Sequence, residues 1–140
     1  MIKRHAYLPH LVLGKTYIHL LVVACLLLGV GCAGSKLTNA YNVVNAISAV
    51  RNGLPSIYEA VTESHPELTD EIQAFDLELH DAILSTYDVL IAIKQGEATY
   101  ADYSAKVQAI IAILERYHVE TKVPELKPAI TLIKQLLGVA

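Results

Sequence analysis

The most constraining feature of the sequence is an apolar pattern of helical period across residues 70–94, which contain no proline or glycine. Thr69 is expected to be the N-cap of this helix, and Gly96 is expected to end it. A helix of about 26 residues is roughly 39 Å long, so it sets the long dimension of the domain. Its inward apolar residues recur every three or four positions and are Ile72, Phe75, Leu79, Ala82, Ile83, Val89, Leu90 and Ile93.

The sequence around this long helix predicts shorter helices. Glycine and proline residues divide it into four further segments of helical period, which are residues 39–50, 55–63, 99–118 and 128–137. Residues 119–127 contain Pro124 and are expected to be a connector. No useful length of sequence alternates with the period of a β-strand. We therefore predict an all-α, up-down bundle of four to five helices.

The first 31 residues have a different composition from the rest. Residues 1–15 contain Lys3, Arg4 and Lys15 but no acidic residue, and residues 16–31 carry no formal charge. A positive segment followed by an apolar run is the layout of a secretory signal. Because the run of about fifteen residues is shorter than the roughly 20 that a spanning helix needs, we predict a cleaved signal peptide at residues 1–31.

The end of the apolar run resembles the lipobox of bacterial lipoproteins, in which small residues precede a cysteine that is lipidated. The matching residues are Leu28-Gly29-Val30-Gly31-Cys32. Gly31 and Val30 fit the pattern, whereas Gly29 stands where the family usually has leucine. The resemblance covers residues 1–32 only and implies that Cys32 is the lipidation site. The alternative is that Cys32 is an ordinary thiol beside an uncleaved anchor.

A second lipobox-like segment lies upstream, at Val22-Val23-Ala24-Cys25. Cleavage before Cys25 would leave only a short apolar run after Lys15 and an apolar start to the mature chain, so Cys32 is preferred.

The resemblance implies a diacylglycerol thioether on Cys32, and two or three acyl chains make a stable anchor in the lipid bilayer. Ala33 stands where inner-membrane lipoproteins often have Asp, which in a Gram-negative cell implies the outer membrane, facing the periplasm. The expected organisation is a signal peptide at residues 1–31, a lipidated tether at 32–38 and a helical domain at 39–140.

Composition excludes two classes of protein. Apolar residues make up 54% of the chain, which is too high for a disordered protein. Residues 32–140 hold eight basic and 14 acidic residues, a formal charge of −6. Such an acidic domain is not expected to bind nucleic acid.

Motifs for catalysis are absent from the sequence, including phosphate-binding loops, zinc-protease motifs, serine-hydrolase elbows and haem attachment motifs. Glu115 and His118 have the Glu-x-x-His spacing of di-iron bundles, but no second copy exists. We interpret His118 as an exposed residue at a helix end and His80 as a surface partner of Asp76. We expect no enzyme, no metal site and no cofactor.

Two further groups of residues can be interpreted either as purely structural or as part of a binding surface. The six tyrosines after Cys32 are expected at the core margin with their hydroxyls reaching water, although several could line a groove for a partner helix or ligand; they are Tyr41, Tyr58, Tyr87, Tyr100, Tyr103 and Tyr117. The acidic stretch is expected to be a solvated face, although it could meet a basic partner; it comprises Glu59, Glu63, Glu67, Asp70 and Glu71.

Two functions follow as hypotheses. The first is an envelope lipoprotein whose bundle is a non-enzymatic interaction or structural module for another envelope component. The alternative is a domain that binds a ligand or a metal in the bundle interior with Glu115 and His118. This domain could also be an enzyme. Because the expected core is almost uniformly apolar, the first is favoured.

Overall fold

A computed structural model describes residues 35–139. The predicted signal peptide, Cys25 and Cys32 lie outside the described residues. The helices are α1 (Lys36–Asn52), α2 (Pro55–Ser64), α3 (Thr69–Gln95), α4 (Tyr100–Tyr117), α5 (Val119–Lys122) and α6 (Lys127–Leu136). Short 3₁₀ turns at Pro66–Leu68 and Pro124–Leu126 precede α3 and α6. No β-strand occurs in residues 35–139, so the all-α prediction is confirmed.

Side-chain pairs along α1, α3 and α4 show an up-down arrangement. Tyr87 of α3 donates a hydrogen bond to Asn45 of α1 at 2.6 Å, while Asp76 near the start of α3 bonds Arg51 near the end of α1. The two helices α1 and α3 are therefore antiparallel. At the other interface, the Tyr117 ring at the end of α4 packs edge-on against Phe75, with centroids 5.6 Å apart.

The core lies around α3, because α1 and α4 pack against this helix and α6 packs against α1. Burial of each large apolar side chain stabilises the fold by about 1.5–3 kcal/mol relative to exposure. The largest completely buried side chains are Val44, Ile47, Leu54, Phe75, Leu79, Ile83, Leu90, Ile110, Leu114, Leu126, Ile130 and Ile133. Every α3 residue among them belongs to the predicted apolar pattern.

The start of α3 differs from the prediction. Thr69 is not the N-cap; it is the first helical residue, and Leu68 in the cap position makes no side-chain cap hydrogen bond. The reason is that the 3₁₀ turn at Pro66–Leu68 already holds the chain in a helical conformation as it enters α3. At the other end, Gly96 is left-handed with φ 79° and ends the helix as predicted.

The N-terminal boundary of the bundle also differs from the prediction. Helix α1 begins at Lys36, three residues before the predicted start, and so includes part of the sequence assigned to the tether. Ser35 caps it, because the Ser35 hydroxyl accepts a hydrogen bond from the Thr38 backbone N–H at 3.2 Å.

Residues 119–127 are more ordered than a simple connector. They form α5 and a 3₁₀ turn, and they bury Val119, Val123 and Leu126 in the core. Pro124 breaks the regular helix, but the apolar residues before and after it still face inward. The connector interpretation is therefore wrong for this segment, which contributes to the core between α4 and α6.

Candidate functional site

The clearest surface feature is a row of exposed apolar side chains on α3. Leu77, Leu84 and Ile91 are 61%, 48% and 46% exposed, and they are the large apolar residues most exposed within residues 35–139. Their spacing of seven residues keeps them on one side of the helix with a drift of about 20° per heptad. At 1.5 Å per residue the row is about 21 Å long.

Acidic residues alternate with this row. Asp81 and Asp88 lie between the apolar residues and are exposed. None of the ion pairs formed within residues 35–139 includes either carboxylate. We call Leu77, Asp81, Leu84, Asp88 and Ile91 the outer face of α3. This face combines an apolar ridge with uncompensated negative charge.

A cleft of about 440 Å³ lies between α2 and the first part of α3, at the Leu77 end of the outer face. Within it, Arg51 donates two hydrogen bonds to Asp76, one of them from Nε to Oδ1 at 3.0 Å. The two side chains are 19% and 21% exposed. The lining residues are Arg51, Tyr58, Glu59, Thr62, Thr69, Ile72, Gln73, Asp76 and Leu77.

Tyr58 is the unusual residue of this cleft. Its hydroxyl is buried and has no hydrogen-bond partner of normal geometry. Burial first, and the neighbouring Asp76 carboxylate second, raise the pKa of Tyr58 well above its usual value of 10.0. Tyr58 therefore keeps its proton to a higher pH than an ordinary tyrosine.

The chemistry available in the cleft is limited, because Arg51 and Asp76 neutralise each other. Thr62 is also engaged, since its hydroxyl donates to the Tyr58 carbonyl at 2.9 Å. Within residues 35–139 the cleft therefore provides space beside an ion pair, Arg51 and Asp76, that carries no net charge.

Glu115 and His118, the two residues with the spacing of a metal-binding motif, belong to no cluster of three metal-ligating side chains within residues 35–139. His118 is exposed and adopts a left-handed conformation with φ 47° at the end of α4, in agreement with the helix-end interpretation. Glu115 is exposed on the same helix. Across residues 35–139 no three His, Cys, Asp or Glu side chains are grouped so that they could hold a metal ion.

The predicted pairing of His80 with Asp76 is wrong. Asp76 bonds Arg51 from α1 instead. The guanidinium matches both carboxylate oxygens with two parallel N–H donors, which one imidazole ring does not. The pair joins residues 25 positions apart, so no local spacing indicated it.

The tyrosines occupy the core margin, as expected, but the buried Tyr58 hydroxyl does not reach water as predicted. All six are partly buried, and five of them pack against the core. Two hydroxyls bond side chains of α1 and α3: Tyr87 donates to Asn45 at 2.6 Å, and Tyr117 donates to Glu78 at 2.7 Å. These tyrosines therefore join helices together.

Most of the acidic stretch is a solvated face. Glu59, Glu63, Glu67 and Asp70 are exposed. Glu71 is the exception, because it accepts a hydrogen bond from Lys122 and so connects α3 to α5.

Sequence reasoning missed the outer face of α3 because it followed the inward stripe alone. The signal was present in the same segment, since Leu77, Leu84 and Ile91 fall outside that stripe and share a heptad spacing.

Comparison with known proteins gives no relative. No protein-family model matches the chain, and neither a curated protein nor a solved structure matches it. Between Ser35 and Val139, none of the helices has both the length and the apolar character needed to cross a membrane.

Proposed function

We propose that this protein is a membrane-anchored envelope lipoprotein whose acidic helical bundle is a non-enzymatic interaction module. The observation that carries the proposal is the outer face of α3. Single exposed apolar residues are ordinary on protein surfaces, but here the three most exposed large ones share one row on one helix. A row of this kind is typical of a surface that another helix covers.

The anchor in this proposal is an acylated Cys32. The charge and hydropathy of residues 1–31 and the lipobox-like sequence before Cys32 support it. Because α1 begins at Lys36, four residues after Cys32, the tether would reach at most about 14 Å. In a Gram-negative cell the domain would lie at the outer membrane on its periplasmic side. Its negative charge disfavours contact with anionic headgroups and leaves α3 for a protein partner.

The anchor is tested by intact mass and detergent partition of the full-length protein made in a bacterium. The wild type should lose residues 1–31, gain acyl mass and enter the detergent phase. Cys32→Ala should keep its full mass, and the matched Cys25→Ala variant should behave as the wild type. An acylated Cys32→Ala protein would contradict Cys32 as the site, and an uncleaved, unacylated wild type would contradict the lipoprotein.

A second candidate function is ligand binding on the same anchor, and the cleft beside Tyr58 is the observation that favours it. Its volume of about 440 Å³ is in the range of small-molecule sites. Gln73 lines the cleft and is exposed, so Gln73→Trp would fill it without removing a core contact. Small amphiphilic molecules that raise the Tm of the wild type but not of Gln73→Trp would support this function; none doing so would argue against it.

A further inference from the structure

We infer that the outer face of α3 binds a basic amphipathic helix of a partner protein. This inference rests on the proposed function as an interaction module and adds the chemistry of the partner to it.

The shape of the surface fits a helix. Leu77, Leu84 and Ile91 form a single ridge with heptad spacing, which is the pattern that a second helix follows when it packs at a crossing angle of about 20°. The ridge of about 21 Å corresponds to four helical turns, enough for three apolar residues of the partner to interleave with it.

The charge of the surface defines the rest of the partner. A helix that covers the ridge also covers Asp81 and Asp88, which have no ionic partner within residues 35–139. Removing a carboxylate from water without a counter-charge is costly, so a stable complex needs Lys or Arg side chains beside these two positions. The exposed Asp70 extends the negative charge towards the start of α3, and the exposed Lys94 lies beyond Ile91 at the other end.

The same charges disfavour a second copy of this chain as the occupant. If two outer faces met in an antiparallel arrangement centred on Leu84, Asp81 of one copy would lie near Asp88 of the other. In a parallel arrangement each aspartate would face its own equivalent. Asp81 and Asp88 therefore meet like charges in both cases, which is destabilising in a helix pair. In the antiparallel case Lys94 of one copy would approach Asp70 of the other, but at the exposed ends of the ridge, where solvent screens charges most.

Leu77 connects the ridge to the cleft. It is the first residue of the row and also lines the space beside Tyr58 and Ile72. An apolar side chain at the end of the partner helix can therefore enter a recess. Recesses of this kind hold the residues that dominate the binding energy of many interfaces.

The test uses the full-length protein in nonionic detergent micelles and three fluorescent helical peptides of about 21 residues, or three heptads. All three peptides carry leucine at the ridge-facing positions, and the positions between carry lysine, glutamate or serine. Fluorescence anisotropy gives the Kd of each peptide, with empty micelles as the baseline. The intact mass of the same preparation reports acylation separately, so a failed anchor and a failed interface are distinguishable.

The wild type should bind the lysine peptide roughly tenfold more tightly than the glutamate peptide. The double variant Asp81→Lys/Asp88→Lys should reverse that preference. The matched control is Glu115→Lys/Glu125→Lys, which makes the same charge change at exposed positions on α4 and after α5. It should leave the preference within about twofold of the wild type. Leu84→Ser should weaken binding of the lysine peptide.

Three results would overturn the inference. Equal binding of the lysine and serine peptides, both lost in Leu84→Ser, would leave an apolar docking face with no preference for a basic partner. An equal effect of the control variant would show unspecific attraction between charges. A dimer that Leu84→Ser dissociates and the lysine peptide does not would identify a second copy as the occupant.

Discussion

At the scale of single residues, the Arg51, Tyr58 and Asp76 group shows how a buried polar cluster divides its hydrogen bonds. Arg51 and Asp76 satisfy each other with two bonds, whereas the buried Tyr58 hydroxyl lies near the Asp76 carboxylate without a hydrogen bond of normal geometry. A buried donor without an acceptor contributes nothing favourable at that atom. The Tyr58 ring still packs against the core, so the apolar part of this side chain contributes to the fold.

Tyr58→Phe should therefore leave the free energy of unfolding at pH 7 within about 0.5 kcal/mol of the wild type, or raise it. The matched change Tyr87→Phe should cost about 1 kcal/mol, because the Tyr87 hydroxyl bonds Asn45. Urea unfolding followed by circular dichroism measures both values. A loss from Tyr58→Phe larger than the loss from Tyr87→Phe would show that the Tyr58 hydroxyl has a partner in solution.

The raised pKa of Tyr58 also gives a pH dependence. The unfolded chain releases the tyrosine proton near pH 10, while the folded protein holds it to higher pH. The part of the folding stability that depends on the Tyr58 proton is therefore complete below about pH 10. It is lost as pH rises from there towards the pKa of Tyr58 in the folded protein. Stability measured between pH 9 and 11 should fall more steeply with pH in the wild type than in Tyr58→Phe. Identical slopes would mean that the hydroxyl is not buried.

At the scale of elements, the hairpin of α3 and α4 depends on how the two helices are terminated and started. Gly96 ends α3 in a left-handed conformation, and the Thr99 and Asp102 side chains form a reciprocal capping box at the start of α4. The sequence predicted Gly96 and a start near Thr99. The capping box was not predicted, because its third helical residue is usually Glu or Gln and here it is Asp102.

Gly96→Ala should destabilise the protein by about 1–2 kcal/mol, the cost of a left-handed conformation for a residue with a Cβ atom. No atom lies within 4 Å of the Cβ position, so steric clash adds nothing to this cost. Gly138 after α6 has φ 74° and an equally open Cβ position, so Gly138→Ala is a matched control. Gly96 joins two helices that pack against each other, whereas only one described residue follows Gly138, so the cost at Gly138 should be smaller in a urea titration. An equal or larger cost at Gly138 would contradict this explanation.

Thr99→Ala should lower the free energy of unfolding by about 1 kcal/mol through loss of the cap. The Thr99 backbone N–H, followed by the Thr99 hydroxyl, holds the pKa of Asp102 below its usual 3.8. The stabilisation by the ionised Asp102 carboxylate is full above the pKa that Asp102 has in the unfolded chain. It is lost as pH falls through the lower pKa of Asp102 in the folded protein. Asp102→Asn should therefore lose less stability than the wild type on acidification below about pH 4. An unchanged acid slope would mean that the carboxylate is not bonded at the cap.

At the scale of the whole molecule, the apolar residues separate into a core that holds the helices together and a ridge that contributes little to the fold. Leu126 is completely buried, although it belongs to the segment that was predicted to be a connector. Leu84 is half-exposed on the outer face of α3. Leu126→Ala should cost about 2–5 kcal/mol. Leu84→Ala should stay within about 0.5 kcal/mol of the wild type in the same unfolding experiment. A large loss at Leu84 would mean that the ridge is part of the core.

The helices and most of their buried positions could be predicted from sequence, because the 3.6-residue period and the glycine and proline breaks act locally. The long pattern from Ile72 to Ile93 and the end at Gly96 are the best examples. The Arg51 and Asp76 pair and the burial of Leu126 could not be predicted, since they depend on how distant helices meet. The outer face of α3 has a local signal in the sequence, because Leu77, Leu84 and Ile91 share a heptad spacing outside the inward stripe.

The most direct test of the interaction module is the accessibility of the outer face in the native membrane. Leu84→Cys and the matched Ala112→Cys, exposed on α4, each place one thiol on the helical domain. We expect a maleimide to label Leu84→Cys much more slowly than Ala112→Cys in intact membranes, and at the same rate after urea denaturation. Equal labelling rates in the intact membrane would show that nothing covers this face, which would contradict the proposed function.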